Sequence, residues 1–393
     1  MDRNIFEEEH EMFRDSVRSF MKNEIGPHEE RWNKQGIVDR EAFLKAGEMG
    51  FLCMWAEEEY GGIGVDDFRY EQILIEENAY YGDLGFFMTL HSRLVGPYIR
   101  NFATDEQKAR WLPKCISGEH ILAVAMTEPG TGSDLSAIRS KAEDKGGHFL
   151  LNGSTTFISN GILADLVVVA ARTDPNNPHG LSLFVVERGM EGFERGNNMD
   201  KMGLKSQDTA ELFFNNVKVP RDNLLGELNR GFYHLMYALA EERLIGACGY
   251  IANAEAAFNE TLEYVGERKV FGKPIAEFQN TRFQLADMRT ELDVGYAFID
   301  RCVMAHNEGK LTAEDAAKAK LWTSELEGRV TDACVQLHGG NGYMMEYRVC
   351  RRHAAARVSR IYAGTSEIMR EIISRSLGLD PRRKQNRSRK DAA

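Results

Sequence analysis

The chain has 393 residues, a length that predicts two or three domains at a typical size of about 150 residues each. It carries 49 Lys and Arg residues against 60 Asp and Glu residues, so its formal net charge is −11. Proteins that bind nucleic acid need a surplus of basic side chains to neutralise phosphates, so this balance argues against that class. Hydrophobic residues make up 43% of the chain and charged residues 28%, which excludes disordered and collagen-like chains.

The six cysteines are scattered, with no Cys-x-x-Cys pair and no His/Cys cluster at zinc-ligand spacing. We therefore expect no structural metal and no disulfide framework, and a reducing compartment. The N-terminal sequence MDRNIFEEEHEMF lacks the basic stretch and apolar run of a signal peptide. No apolar run is long enough to span a bilayer. These features predict a cytoplasmic protein without membrane insertion.

The first 120 residues show helical periodicity. Phe13, Val17 and Phe20 recur at helical spacing, and the pattern returns at 41–50, 68–81 and 106–116. From 121 to 228 the apolar runs become short and β-branched, at 149–151, 166–171, 181–186 and 210–214, and glycine, asparagine and proline separate them. The sequence therefore predicts an N-terminal helical domain over 1–120 and a β domain of six to eight short strands over 121–228.

Long helical patterns return over 229–380 and contain almost no proline. This sequence pattern predicts a bundle of about four helices. The last stretch, PRRKQNRSRKDAA at 381–393, has six basic residues and no strongly apolar residue. We expect a solvated, disordered tail there, and a weak contact with an acidic partner is the alternative.

A glycine-rich segment, MTEPGTGSD at 126–134, offers hydroxyl groups and backbone amides. It is not a P-loop, because no lysine follows the glycines at the required spacing, and no βαβ pattern surrounds it as a dinucleotide fingerprint requires. A plain loop between two strands and a contact with a flat, polar-edged ligand such as a flavin both remain open. The segment TFISNG at 156–161 raises a similar choice, since Phe157 could stack on a ring system or belong to the core.

The stretch FYHLMYALAEERLIGACGY at 232–250 is apolar nearly all the way round a helix, yet Glu241, Glu242 and Arg243 lie in its middle. Burying a carboxylate costs free energy unless it is paired with a positive charge or takes part in a reaction. A desolvated glutamate also becomes a stronger base. A general base and a Glu–Arg pair at a helix packing interface are therefore both open. Two further segments interrupt helical regions with glycine: QLHGGNGY at 336–343 and IYAGTSEI at 361–368, the second with a possible helix N-cap.

Together and in this order, four segments resemble motifs of the acyl-CoA dehydrogenase family. They are AMTEPGTGSDL, RKVFGKPIAEFQ at 268–279, QLHGGNGY and IYAGTSEI, and the resemblance covers the chain up to about residue 379. It implies a mainly α fold with a central β domain: an N-terminal helical domain, a middle β-barrel-like domain and a C-terminal four-helix bundle. It also implies FAD as cofactor, an acyl-CoA substrate and a homotetramer built as a dimer of dimers.

The resemblance assigns contacts to individual positions. The residues that resemble the flavin-edge contacts are Met126, Thr127, Gly132 and Ser133, with Ser133 also facing the substrate. Phe157 resembles the aromatic residue beside the flavin, and Ile158 and Ser159 resemble the pair near its reactive nitrogen. The residues that resemble those around the adenine and pyrophosphate, partly from a neighbouring subunit, are Arg268, Phe271, Gln279, Gln336, Leu337, Gly339 and Gly340. The residues that resemble the final pyrophosphate cap are Thr365, Ser366 and Glu367.

One position departs from the commonest family pattern. Many members carry the catalytic glutamate where this chain has Ala363, and alanine cannot accept a proton. The long-chain and isovaleryl branches carry the base on the apolar helix instead, immediately before an Arg-Leu pair, and Glu242 stands at that position. The resemblance thus implies Glu242 as catalytic base, Arg243 as its orienting partner, and substrate contacts at Ala363 and Gly364.

The segments KMGLK at 201–205, QDTAEL at 207–212 and GFY at 231–233 favour the long-chain branch, in which Tyr233 would line the acyl-CoA entrance. We expect FAD-dependent α,β-dehydrogenation of medium- or long-chain fatty acyl-CoA to trans-2-enoyl-CoA, with an electron-transferring flavoprotein as acceptor. The alternatives are an isovaleryl-like or other branched or terpenoid acyl-CoA dehydrogenase, and an acyl-CoA oxidase. From a different class, a non-catalytic acyl-CoA or flavin-binding protein and a flavin monooxygenase on the same fold also remain.

Overall fold

The computed structural model describes residues 3–379. Six α-helices precede the sheet: α1 Glu8–Phe20, α2 Glu29–Gln35, α3 Arg40–Glu48, α4 Phe68–Tyr81, α5 Gly96–Phe102 and α6 Asp105–Ile116. The predicted helix at 68–81 has the predicted bounds, and the other two begin and end within two residues of the predicted ones. The N-terminal part of the chain is helical, as predicted.

Side-chain caps define where these helices begin. The Asp67 carboxylate accepts a hydrogen bond from Arg69 N at 2.9 Å and begins α4. A reciprocal pair begins α6, in which Gln107 N donates to Thr104 Oγ1 and Thr104 N donates to the Gln107 side chain. Between α4 and α5, the segment Leu90–Val95 is π-helical, a geometry that often occurs at functional sites.

The middle of the chain forms one eight-stranded sheet. Its strands are β1 Leu122–Ala125, β2 Lys141–Asp144, β3 His148–Ser159, β4 Leu166–Arg172, β5 Leu181–Glu187, β6 Phe193–Arg195, β7 Thr209–Pro220 and β8 Leu224–Leu225. The strand order is β6-β7-β3-β2-β4-β5-β8, and β1 pairs in parallel with β4. The long antiparallel pair of β3 and β7 has two register shifts, one of them between Thr155 and Ile158. Such bulges re-aim side chains, and this one lies within the predicted TFISNG segment.

The sequence of strand β4 is an unbroken apolar run because both faces of the strand are buried. Leu166, Val168 and Ala170 pack with the N-terminal helices in one cluster. The alternate residues on the other face, Val167 among them, pack within the sheet's second core. Because successive strand side chains point to opposite faces, a strand buried on both sides must be apolar throughout.

The C-terminal part contains the remaining helices and a two-stranded β-hairpin. The elements are α7 Gly231–Glu267, β9 Lys269–Val270, β10 Lys273–Pro274, α8 Gln279–Asn307, α9 Ala313–His338, α10 Arg348–Ala356 and α11 Ser366–Ser376. Their core is continuous with α4 through Phe68 and Ile75. No helix within residues 3–379 has both the length and the apolar character needed to cross a membrane. The predicted basic tail at 381–393 lies outside the described residues.

Candidate active site

One cavity of about 280 Å³ lies between the sheet, α4 and α7. Seven of the residues predicted from the sequence line it: Met126, Thr127, Phe157, Ile158, Ser159, Glu242 and Ala363. They come from four separate segments of the chain. The fold therefore brings together the inner part of the predicted site.

The bulge in β3 joins two of those segments. Thr156 N donates a 2.8 Å hydrogen bond to the carbonyl oxygen of Thr127, which follows β1. At the next residue, Phe157 has a φ of 60°, a left-handed conformation that is uncommon for a non-glycine residue. Its side chain remains 67% exposed, so the ring is not a core residue. The core interpretation of Phe157 is therefore excluded, and its stacking on a flavin stays a prediction.

The glycine-rich loop after Thr127 is fixed by a carboxylate. Glu128 is buried and accepts hydrogen bonds from Arg139 N at 2.8 Å and Ser140 N at 2.7 Å. Gly132 and Ser133 are exposed at the tip of this loop and do not line the cavity. A Cβ atom on Gly132 would meet no atom within 4 Å, so packing within the chain does not require glycine there.

Neighbouring carboxylates on α7 have opposite surroundings. Glu241 forms an ion pair with Arg93 at 2.5 Å, and His306 Nε2 lies 3.3 Å from its second oxygen. Glu242 is 9% exposed and faces the cavity, and its Oε2 has no hydrogen-bond partner among the described residues. Glu241 is thus the carboxylate that forms a Glu–Arg pair, with Arg93, while the role of Glu242 as a base stays a prediction.

Burial raises the pKa of Glu242 to about 7, because the desolvated carboxylate is disfavoured, and the positive charges of Arg243 and Lys320 offset part of this rise. Arg243 is itself buried, and burial lowers the pKa of its guanidinium. It does not line the cavity. Arg243 therefore acts on Glu242 through its charge, and its orienting role stays a prediction.

The turn at Ala363 and Gly364 is left-handed, with φ values of 53° and 89°. Non-glycine residues in this region are strained and concentrate at functional sites. Thr365 caps α11 by accepting a hydrogen bond from Ile368 N at 3.3 Å, and Ser366 Oγ donates to Glu325 at 3.0 Å. Glu367 is exposed in the first turn of α11. Of this predicted group only Ala363 lines the cavity, while Gly364 and the three following residues lie outside its wall.

Five of the seven predicted adenine and pyrophosphate residues line a second cleft of about 520 Å³. It is lined by Arg268, Gln336, Leu337, Gly339 and Gly340. This cleft and the first cavity have no lining residue in common. Gln279 begins α8 and Phe271 is 96% exposed, and neither lines the cleft. Tyr233 is also outside the first cavity, with the Arg230 guanidinium 4.6 Å above its ring.

Sequence reasoning missed the polar residues on the other side of the cavity. Asn253 on α7 and Glu327 on α9 are both buried there, and burial raises the pKa of Glu327 to about 7. Lys320 is fully buried two turns before Glu327 on the same helix. A helical plot of α9 would have placed both charged residues on its apolar face, which is the pattern that could have identified them.

The cavity suits a flat ligand with a polar edge. Met126 and Ile158 supply apolar wall, Phe157 offers an unpacked ring, and Thr127 and Ser159 offer hydroxyl groups and backbone amides. The hydrogen bond from Thr156 N to Thr127 O and those from Arg139 N and Ser140 N to Glu128 fix the bulge and the loop that carry these groups. The residues present thus fit an isoalloxazine ring.

Three family models match successive parts of the chain. Models of the N-terminal, middle and C-terminal domains of acyl-CoA dehydrogenases match residues 7–119, 123–217 and 229–378. The mitochondrial long-chain specific acyl-CoA dehydrogenase of Mus musculus is 47% identical over 381 residues, which are 96% of this chain and 88% of that protein.

Two solved structures are similar over nearly the whole chain. An acyl-CoA dehydrogenase from Geobacillus kaustophilus has a TM-score of 0.94 at 48% identity, covering 96% of this chain and all of that one. A glutaryl-CoA dehydrogenase from Mycobacterium smegmatis, in complex with FADH2, has a TM-score of 0.89 at 28% identity, covering 95% of each chain. The chain therefore belongs to the acyl-CoA dehydrogenase family and is an oxidoreductase of that family.

Proposed function

We propose that the protein oxidises medium- or long-chain fatty acyl-CoA to trans-2-enoyl-CoA, with Glu242 as the base that removes the α proton. The observation that carries this proposal is the position of Glu242. Glu242 is a buried carboxylate on the cavity wall, and one of its oxygens has no hydrogen-bond partner among the described residues. Many members of the family carry the base at another position, which is occupied here by Ala363. Glu242 is buried, and apolar residues such as Leu94 and Ile245 line the cavity with it, which limits access of water and strengthens a base.

The α proton of a thioester is weakly acidic, so the thioester carbonyl must be polarised. We assign this task in part to the backbone N–H of Ala363, which pairs with no backbone acceptor among residues 3–379. Ala363 has a left-handed backbone and lines the same cavity as Glu242. A fixed donor aimed at developing oxyanion charge is a large source of rate enhancement.

FAD is the proposed cofactor, and when bound it would accept the β hydrogen as a hydride at N5. Met126, Thr127, Phe157, Ile158 and Ser159 would hold its ring. The second cleft, lined by Arg268 and the 336–340 segment, would hold the adenine and pyrophosphate end of a neighbouring subunit's cofactor. That arrangement requires an oligomer, which we propose to be a homotetramer built as a dimer of dimers, and light scattering of the purified protein tests it.

The proposed electron acceptor is an electron-transferring flavoprotein. The exposure of the Phe157 ring supports this partner. Because Phe157 is a proposed flavin contact, its exposure indicates that the proposed flavin site lies near the protein surface, where a second redox protein can approach. Peroxide formation in air, in place of transfer to an artificial acceptor, would instead indicate an oxidase.

The test is anaerobic bleaching of the purified protein. We expect a yellow protein that loses its flavin absorbance on addition of palmitoyl-CoA, and no bleaching by any acyl-CoA would overturn the proposal. A substrate series from four to eighteen carbons, including isovaleryl-CoA and assayed with an artificial acceptor, determines the chain-length preference. If the activity is highest with isovaleryl-CoA, the protein is instead the branched-chain acyl-CoA dehydrogenase of the alternative hypothesis.

A further inference from the structure

The cavity continues well beyond the base. Its wall follows α7 from Glu242 through Gly246 and Gly249 to Asn253, a stretch of twelve residues that rises about 16 Å along the helix. Gly249 has no side chain, and a Cβ atom there would only touch Ile75 at 3.7 Å, so the passage between α4 and α7 stays open. The length and the apolar wall suit an extended acyl chain.

The far end of this passage is polar. Asn253 Nδ2 donates a 2.7 Å hydrogen bond to Glu327 Oε1, and both side chains are less than 5% exposed. The second carboxyl oxygen, Glu327 Oε2, is buried without a hydrogen-bond partner in the described part of the chain, and so is Asn78 Oδ1. Ser359 also lines this end, where its hydroxyl donates to the carbonyl of Ala356 at 2.7 Å; its closeness to Glu327 offsets part of the rise in the pKa of that carboxyl.

A buried arginine fixes the orientation of this end. Arg352 Nη1 donates to Asn253 Oδ1 at 3.0 Å and to the carbonyl of Ala79 at 2.8 Å, while its Nη2 pairs with Glu260 at 2.9 Å. Because Asn253 Oδ1 accepts from Arg352, its amide nitrogen must face Glu327. Glu327 Oε1 therefore accepts a hydrogen bond from Asn253, whereas Glu327 Oε2 has no hydrogen-bond partner among the described residues.

We propose that this far end is a subsite for a hydroxyl group on the acyl chain, so that the substrate is an acyl-CoA with a hydrogen-bond donor near its distal end. This inference rests on the proposed function. Burying an acceptor without a donor costs free energy; a terminal methyl group would leave Glu327 Oε2 unsatisfied, whereas a hydroxyl group donates a hydrogen bond to it. Arg360 and Lys320 place positive charge near Glu327, which disfavours an ammonium group as the donor.

The test measures binding separately from turnover. Isothermal titration of the Glu242→Gln holoenzyme uses ω-hydroxyacyl-CoAs of eight to sixteen carbons and their unsubstituted counterparts. We expect the hydroxylated compound to bind about tenfold more tightly at one chain length, which is the gain of one hydrogen bond to a charged or strongly polar acceptor. Adding Glu327→Leu should abolish or reverse that ratio. Adding Glu314→Gln, on the exposed first turn of the same helix, should preserve it.

The outcomes separate this inference from the proposed function. Equal binding of the two compounds at every chain length overturns the subsite while leaving acyl-CoA dehydrogenation intact, and this result needs no Glu327 variant. A preference that persists in Glu327→Leu also overturns it. If neither class of acyl-CoA binds to Glu242→Gln nor bleaches the wild-type flavin, both the proposed function and the subsite fail.

Discussion

Lys320 Nζ lies 2.6 Å from the carbonyl oxygen of Gly364 and donates a hydrogen bond to it. The lysine is fully buried on α9, and burial lowers the pKa of its ammonium group to about 8. It remains mostly charged at neutral pH and lowers the pKa of Glu242 through its charge. One side chain thus supports the strained turn that presents the Ala363 amide and also tunes the proposed base.

Replacing Lys320 by methionine should affect both properties. Lys320→Met leaves the Gly364 carbonyl without its donor, so we expect a loss of about 1–3 kcal/mol of unfolding free energy in urea titration. Because a positive charge near Glu242 disappears, the pH midpoint of the anaerobic bleaching rate should move upward. Lys318→Met is the matched control, since Lys318 is solvent-accessible on the same helix and pairs with Glu314. An unchanged midpoint would show that Lys320 does not act on the base.

The base assignment predicts opposite results for two adjacent substitutions. Glu242→Gln should keep its flavin and bind acyl-CoA, but anaerobic bleaching should slow by about 10²–10⁴-fold, the usual contribution of a general base. Glu241→Gln changes a carboxylate that pairs with Arg93 and His306, so it should bleach at a rate close to the wild type. Stopped-flow absorbance measures both rates. Normal bleaching by Glu242→Gln would disprove the assignment.

The pH dependence of bleaching follows from the burial of Glu242. Only the deprotonated carboxylate accepts the α proton, and burial raises the pKa of Glu242 from 4.5 to about 7. The rate should therefore fall as pH decreases through about 7 and level off above it. A rate that stays constant down to about pH 5 would indicate a base with an ordinary carboxyl pKa. Because Glu327 also has a raised pKa, the profile of Glu327→Gln should be recorded alongside.

Local sequence patterns were sufficient for most of the fold. Helix α4 was predicted with its observed bounds from apolar periodicity, and the structure shows that Asp67 caps its first turn. Strands β4 and β5 were predicted because both faces are buried, which demands continuous apolar runs. The positions of Glu242 and Phe157 in one cavity depend instead on contacts between distant segments, and only the family resemblance indicated them.

The remaining differences have physical causes. A helical plot places Glu327 on the apolar face of α9, but its contact with Asn253 depends on how α9 packs against α7, which neither helix encodes alone. Ser133 and Tyr233 were predicted at the site, yet both side chains are exposed outside the cavity wall of the single chain. Their assigned partners are a cofactor and a CoA group, so their predicted contacts depend on atoms that the chain itself does not supply.

A second carboxylate at the turn tests the geometry of the reaction. Ala363 and Glu242 line the same cavity, and Ala363 already has the left-handed backbone that a replacement side chain must adopt. Ala363→Glu in a Glu242→Ala background should therefore restore part of the bleaching rate, at least about tenfold above Glu242→Ala alone and below the wild type. Ala363→Gln in the same background controls for size and polarity, because an amide cannot accept the proton. If Ala363→Glu recovers no more activity than Ala363→Gln, the turn does not face the substrate's α carbon, and the role of the Ala363 amide in polarising the thioester is then contradicted as well.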